Sequence, residues 1–542
     1  MPKPQPNIPG LVIGGTGSNA GKTTFTLALL CALHDRGLRA RAAKTGPDYI
    51  DAAFHALLTG QPAANLDAWM CRQSAPSPAE RPLQTGRGLP AGLQRVFERM
   101  RTPTQHAGAG DAQAAKALAA RPDLLVVEGA MGLFDGGHKG AGSTAHLAAL
   151  LGLPVLLVLN AGGMGQSITA LAEGFLHHRP AWAGAWPLRF LGMVCTHVGS
   201  TRHADLLRQS LAPLTKSTGV PLLGLMPRQG APTLPARHLG LVEAREALPA
   251  VDRQALAQWA ENNCDLSVLL KKAGAASLRR ALGTHGTKSI SDDENQPERP
   301  STPATAARFF PAFIVNARRG KQPLRIGLAW DEAFSFCYAD LPAVLGELKA
   351  EVVTFSPLWD AAPPPGCAGL YFPGGYPELH AECIAANAQM RTALHAFAAQ
   401  GMPIYGECGG YMYLMRSLLA HGQQYAMSGL LPRSCALGQT KAALGYRAGL
   451  AHADWPHAST TARPLWVRGH EFHYAQEQAD PLPAQCSPLW QLHDSQGRFL
   501  RADGCRMGSV AGSWLHCYPE GSRRFWRLWL SLCSAYLSAQ GT

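Results

Sequence analysis

The 542-residue chain has 13 cysteines but no C-x-x-C pair, which argues against a zinc ribbon. It lacks any uninterrupted apolar run near the roughly 18 residues of a membrane helix, so no membrane partner is expected. The N-terminal MPKPQPNIPG holds no apolar region of the kind a secretory leader carries. An odd number of scattered cysteines without a leader gives the expectation of reduced thiols in a cytoplasm. Charge is scarce: 16% of residues carry it, and the net +12 (49 Lys and Arg less 37 Asp and Glu) is not gathered into a basic run. This balance suits an anionic ligand, while its dispersal argues against nucleic acid. What is present is a globular composition, 46% hydrophobic, in a chain too long for one core.

Apolar strands alternate with helical patterns in the first half. LVIGG (11–15) reads as a strand, followed by a glycine loop and a helix from about Lys22 to Arg36. LLVVEGA (124–130), PVLLVLNA (154–161), FLGMVCT (190–196) and VPLLGLM (220–226) are continuous apolar runs, as in strands buried on both faces of a parallel sheet. The alternation predicts a doubly wound α/β domain over 1–274. A Pro/Gly/Ala-rich stretch, about 72–117, reads as a surface insertion. Residues 275–323, with SISDDENQPERPSTPATAA, read as a flexible linker. A second α/β pattern restarts at PLRIGLAWD (323–331) and fills 324–542, with further strands at 351–358, 368–375 and 402–410. No internal repeat is evident.

Residues 14–24, GGTGSNAGKTT, follow a strand and open a helix. Backbone N–H groups of such a loop hold phosphate oxygens. Gly15, Thr16, Gly17, Asn19, Ala20, Gly21, Lys22, Thr23 and Thr24 are therefore candidate nucleotide contacts, with Lys22 reaching the outer phosphates and Thr23 placing its hydroxyl on Mg²⁺. The pattern G-T-x-x-x-x-G-K-T resembles the loop of dethiobiotin synthetase and its relatives. ParA/MinD-like switch ATPases carry a lysine where this chain has Gly17, which argues against that class.

Acidic partners follow. In KTGPDYID (44–51), Lys44 is placed to reach phosphate and Asp48 to hold Mg²⁺; the same residues also suit a plain Gly/Pro/Asp turn. In VVEGAMGLFDG (126–136), Glu128 ends an apolar strand, the position of an acid that holds metal, and Asp135 lies in the loop beyond.

In the second domain, IYGECGGYMYL (404–414) gives G-x-C-x-G around Cys408, the signature of a nucleophile elbow. The following helix N-terminus is expected to favour thiolate. FPGGYPELH (372–380) offers the Gly374 and Gly375 amides for an oxyanion hole. A base is required. SWLHCY (513–518) supplies His516; GHEFHY (469–474) supplies His470 and His473, which read as substrate-facing or structural.

With LPARHLGLV (234–242), DEAFSFCY (331–338) and LGYR (444–447), these motifs cover nearly the whole chain in order. As a set they resemble the cobyrinate a,c-diamide synthase family, including its hydrogenobyrinate-using members. The resemblance implies an ATP-dependent P-loop synthetase domain joined to a class I glutamine amidotransferase domain. It implies a corrinoid substrate whose a and c acetates become amides, with ATP, Mg²⁺ and L-glutamine consumed or bound, and it leaves a homodimer open. Cys408 is the implied nucleophile and His516 the residue that activates it. Tyr49, Ile50 and Asp135 are placed toward the corrinoid. Many class I amidotransferases have His-x-Glu where this chain has His516, Cys517 and Tyr518, and Thr196 stands where Asn is expected. Related readings are a nickel-sirohydrochlorin a,c-diamide synthase and a cobyric acid synthase.

Overall fold

The computed structural model describes residues 8–77, 89–103, 121–232, 251–275, 323–452, 455 and 464–541, apart from 138–139, 181, 184–187 and 479–481. LPARHLGLV, nearly all of the linker and most of the 72–117 insertion lie outside the described residues. The described residues divide into two compact units. One is drawn from 8–68, 89–103 and 121–275, the other from 69–77 and 323–541. Residues 69–77, counted above with the N-terminal domain, thus pack with the second unit.

The first unit is built on a parallel sheet of seven strands: β1 (Gly10–Gly15), β2 (Ala40–Thr45), β3 (Ala64–Leu66), β4 (Leu124–Glu128), β5 (Val155–Asn160), β6 (Phe190–Val198) and β7 (Leu222–Pro227). Their order is β3-β2-β4-β1-β5-β6-β7, the doubly wound α/β arrangement that the apolar runs predict. All five residues of β4 are buried, including Glu128, as strands covered on both faces require. Helix α1 (Lys22–Asp35) carries apolar residues on every side, and Phe25 through Leu33 are buried. It packs against the helix Arg253–Asn263, and Arg36 beyond its end forms a two-pronged ion pair with Glu261 at 2.6 Å. The register sets Ile13, Lys44 and Glu128 side by side at the carboxyl ends of β1, β2 and β4. In such sheets ligands bind at that edge.

The second unit has a six-stranded sheet, two smaller sheets and a C-terminal helix. The strands in chain order are β8 (Leu324–Ala329), β9 (Ala350–Phe355), β10 (Gly369–Phe372), β11 (Ile404–Glu407), β12 (Ser417–Ala420), β13 (Gln423–Ala426), β14 (Ser434–Leu437) and β15 (Ala443–Ala451). They continue with β16 (Trp466–His473), β17 (Ala475–Glu477), β18 (Trp490–His493), β19 (Phe499–Asp503), β20 (Cys505–Met507), β21 (Val510–Ser513) and β22 (His516–Cys517). The main sheet runs β20-β21-β11-β10-β8-β9, parallel except at β20. An antiparallel sheet runs β19-β18-β15-β16-β22. The helix Arg523–Ala539 buries Phe525, Trp526, Trp529, Leu530 and Cys533. Its aromatics meet Tyr371, Tyr405 and Trp490 in T-shaped contacts. Cys408 follows β11, and His516 begins β22.

Candidate functional sites

The phosphate-loop candidate closes over the carboxyl edge of the first sheet. Gly15 has no space for a side chain, because a Cβ there would lie 2.9 Å from the Lys22 stem. Asn19 and Gly21 take positive φ (61° and 82°), turning the chain into α1. Thr196 braces the loop from below: its hydroxyl donates to the Ala20 carbonyl at 2.7 Å, and a Cβ on Gly21 would meet its methyl at 3.1 Å. Thr16 donates its amide to the Val158 carbonyl, while Thr24 sits half-buried in the first turn of α1. Lys22 folds across the loop and donates to the Gly17 carbonyl at 2.8 Å. Burial and the nearby Lys44 cation lower its pKa.

Beneath the loop lies a compact charged cluster. The Thr23 hydroxyl donates to Glu128 Oε1 at 2.6 Å. Lys44 Nζ donates to the same oxygen at 2.7 Å and to Asp51 Oδ2 at 2.5 Å. His55 Nε2 lies 2.8 Å from Glu128 Oε2. Burial opposes the charge on Glu128, but Lys44 and His55 outweigh it and hold the carboxylate below its usual range. Burial likewise opposes the charge on Lys44, and Glu128 and Asp51 overturn that, leaving its pKa raised. Asp51 moves upward, through burial and then the neighbouring Glu128 charge.

The placement of Asp48 differs from expectation. It caps helix α2 (Tyr49–Thr59), accepting from the amides of Ile50 and Asp51 at 3.0 and 3.2 Å. The carboxylate that joins Thr23, Lys44 and Glu128 is Asp51. A cap residue must keep extended backbone and turn its side chain onto the first helical turn; the residue three further on projects from the helix face beneath the loop. Asp51 and His55 went unnoticed in the sequence, although their spacing of four puts both on one helix face. Tyr49 is half-buried and Ile50 is 6% exposed. Asp135 accepts from the Gly132 amide at 2.8 Å, bracing an exposed loop that carries Met131 at positive φ (52°). The oxygen-only set of Thr23, Asp51 and Glu128 suits a hard divalent cation, which takes one or two carboxylates and completes its shell with water and phosphate.

The second site is built around a strained cysteine. Cys408 has φ 48° and ψ −105°, a conformation that a non-glycine residue keeps only when its surroundings enforce it. They do: a Cβ on Gly410 would lie 2.1 Å from the Phe372 carbonyl, one on Gly406 2.8 Å from Gly410, and one on Gly409 2.8 Å from the Gly375 amide nitrogen. The Cys408 amide donates to the Ser513 carbonyl at 2.8 Å, and the thiol to the Phe472 carbonyl at 3.7 Å. The expected pull of the helix N-terminus toward thiolate is overridden. Burial, then the Glu378 carboxyl, push the Cys408 pKa well up, and the Gly409 amide offsets only part of this. The six-residue helix Gly409–Leu414 is too short to reverse the desolvation.

His516 lies against Gly374, whose Cβ would fall 2.4 Å from its Cε1. Burial, and then His470 and His473, lower its pKa, so the ring is neutral and able to accept a proton. The cross-strand pair His470↔His516 stacks at 4.9 Å between ring centroids, 16° from parallel. Tyr338 Oη sits 3.0 Å from His470 Nδ1. His473 instead stacks on Trp514 at 4.2 Å. Of the two residues after His516, Tyr518 donates to Asp340 at 3.4 Å. Gly375 follows Gly374 with φ 159°, and a Cβ there would lie 2.0 Å from the Ala333 carbonyl. Among the described residues no group of three or more His, Cys, Asp and Glu suits a metal ion, and no helix is long and apolar enough to cross a membrane.

A P-loop-type domain followed by a thiol elbow with a neutral histidine defines a nucleotide-binding ligase fused to a glutamine amidotransferase. Residues 11–242 match the CobQ/CobB/MinD/ParA nucleotide binding domain, and 325–523 the CobB/CobQ-like glutamine amidotransferase domain. A cobyrinate a,c-diamide synthase of Syntrophotalea carbinolica is 36% identical over 96% of this chain and 98% of its own. Hydrogenobyrinate a,c-diamide synthases of Rhodobacter capsulatus and Brucella suis are each 37% identical over 94% of this chain and 98% of theirs. The chain belongs to the cobyrinate/hydrogenobyrinate a,c-diamide synthase family of glutamine-dependent ligases.

Proposed function

We propose that the protein uses ATP and glutamine to amidate the a and c acetate carboxylates of cobyrinate or hydrogenobyrinate. The observation that carries this reading is the presence, in one chain, of the Thr23–Lys44–Asp51–Glu128 cluster under a phosphate loop and of Cys408 on a strained elbow beside Gly375. A carboxylate resists ammonia because its leaving group would be oxide. Taking up the γ-phosphoryl group turns it into an acyl phosphate, with phosphate as the leaving group. Lys22 and the loop amides hold the transferring group and neutralise its charge. Thr23, Asp51 and Glu128 would hold Mg²⁺, which supplies charge neutralisation at the phosphates. Thr196 supports the loop from below, and Tyr49 and Asp135 are assigned to the corrinoid side.

In the second unit, neutral His516 accepts the Cys408 proton as sulfur attacks the glutamine amide carbon. The Gly374 and Gly375 backbone is assigned to the resulting oxyanion. Collapse expels ammonia, protonated from His516, and leaves a glutamyl thioester that water hydrolyses to glutamate. Ammonia then displaces phosphate from the activated corrinoid. Incubation of the protein with ATP, Mg²⁺, glutamine and either corrinoid tests the reading: mass spectrometry is expected to show two carboxyl-to-amide conversions, lost in Cys408→Ser unless ammonium salt is supplied. ATP hydrolysis with no amide formed on either ring would refute it.

A further inference from the structure

The ring of His516 has to be held in one plane to take a proton from a thiol. The last torsion of a histidine side chain is broad and roughly two-fold, so the surroundings must set it. In a catalytic triad a carboxylate does this by hydrogen-bonding the ring. The position that carries this acid in many class I glutamine amidotransferases, two residues after the histidine, holds Tyr518 here. Its hydroxyl donates to Asp340 at 3.4 Å. Its amide donates to the Arg468 carbonyl at 2.8 Å and so closes the chain after β22 onto β16. Residues two apart on extended chain share a face. His516 and Tyr518 therefore project to one side, together with His470, the cross-strand partner of His516.

On that side the rings form a continuous chain. Tyr518 meets Tyr338 edge to face, with 4.9 Å between centroids and 87° between planes. The Tyr338 hydroxyl lies 3.0 Å from His470 Nδ1. The His470 ring then lies flat on His516, 4.9 Å between centroids and 16° from parallel. All four residues are buried. Tyr338 has a firm backing. Its hydroxyl also meets Met70 Sδ at 3.6 Å, and the segment around Met70 is pinned by Arg468, whose Nε donates to the Ser74 carbonyl at 3.0 Å and whose guanidinium lies 4.5 Å from the Trp69 ring centroid. A hydrogen bond at Nδ1 fixes the His470 plane, and a flat stack passes that plane to His516. Gly374 closes the Cε1 edge of the same ring, where a Cβ would not fit. One wall sets the face of His516 and the other its edge.

We propose that His470, oriented by Tyr338, is the positioning residue for His516, and that this stack takes over the orienting duty of the acid that Tyr518 replaces. The inference rests on the glutamine-hydrolysis half of the amidation reading above. His470 contributes a flat face, and its nitrogens exchange no proton with thiol or glutamine. His516 alone accepts the Cys408 proton and returns it to the leaving ammonia.

The test uses the full chain with ATP, Mg²⁺, glutamine and cobyrinate or hydrogenobyrinate. It measures glutamate release as kcat and as KM for glutamine, with amidation supported by ammonium chloride as the control. In His470→Ala the ring of His516 holds its working orientation only part of the time, so kcat falls by that fraction, about tenfold. KM and the ammonium-supported rate stay within about twofold of wild type. His470→Phe keeps a flat ring and recovers kcat to within about threefold of wild type. Tyr338→Phe lowers kcat by about threefold on its own and has no further effect in His470→Phe, where the hydroxyl has no ring nitrogen to meet. It decides the matter if His470→Ala does not fold by circular dichroism. A His470→Phe protein as slow as His470→Ala would overturn the role, since a nitrogen and not the face would then be at work. So would an unchanged kcat in His470→Ala or in Tyr338→Phe, or an equal fall in the ammonium-supported rate. Absence of any glutamine-dependent amide in the wild type would instead remove the functional reading beneath it.

Discussion

Replacing Gly374 by alanine adds one methyl group against the ring assigned as the base. That Cβ would sit 2.4 Å from His516 Cε1, 3.2 Å from its Nδ1 and 3.3 Å from Phe336 Cβ. Ordinary contact begins at 3.4 Å, so the overlap with Cε1 is 3.4 − 2.4, about 1 Å. His516 is 2% exposed and stacked on His470, which blocks an easy retreat. Overpacking of this kind costs about 1–3 kcal/mol in stability. A shift of about 1 Å between reacting groups costs on the order of 100-fold in rate, equivalent to about 2.7 kcal/mol of barrier. Glutamate release from glutamine should therefore fall about 100-fold. Amidation of the corrinoid with ammonium chloride as nitrogen source should stay within about threefold of wild type, because the first unit is untouched. Glutaminase activity retained within about threefold would refute the assignment of His516, since a displaced base cannot leave the rate intact.

Asp51→Asn should lower ammonia-dependent ATP turnover by about 100-fold through loss of a charge from the cluster under the loop, whereas Asp48→Ala should cost about 1 kcal/mol in thermal stability as a lost helix cap; equal loss of turnover in both would reverse the reassignment. Glu378→Gln should lower the Cys408 pKa by removing its first neighbouring charge. Because burial pushes Glu378 itself up to about 7, the gain in iodoacetamide reactivity should be large near pH 8 and small near pH 6, where the wild-type carboxyl is already protonated; a pH-independent gain would contradict this. Burial also pushes the Glu407 carboxyl up to about 7 from 4.5. The folded state then holds its proton more tightly than the unfolded chain, so wild-type stability declines as pH rises from 4.5 through 7. Glu407→Gln should accordingly gain melting temperature over wild type near pH 8 and little near pH 5, and an equal difference at both would refute the linkage.

The parallel sheet of the first unit was legible because its strands are continuous apolar runs, and α1 begins at Lys22 as the loop pattern indicates. The thiol elbow was equally plain, since only small residues fit at 406, 409 and 410. The small sheets of the second unit were not. Strands such as β13, β17 and β19 are short and largely half-buried or exposed, so they carry little periodic signal. The attachment of 69–77 to the second unit was also invisible, because Arg468 lies almost 400 residues away in sequence.

The sequence by itself determined which reactive groups exist and the local backbone that presents them: a glycine turn before Lys22 and Thr23, and a glycine bracket around Cys408. Those depend on steric limits within a few residues of chain. Only the tertiary structure decided that Asp51 rather than Asp48 meets Lys44, that the Cys408 thiol is held protonated, and that His516 rests between Gly374 and His470. Burial and cross-strand register govern these outcomes, and both arise from residues far apart in the chain.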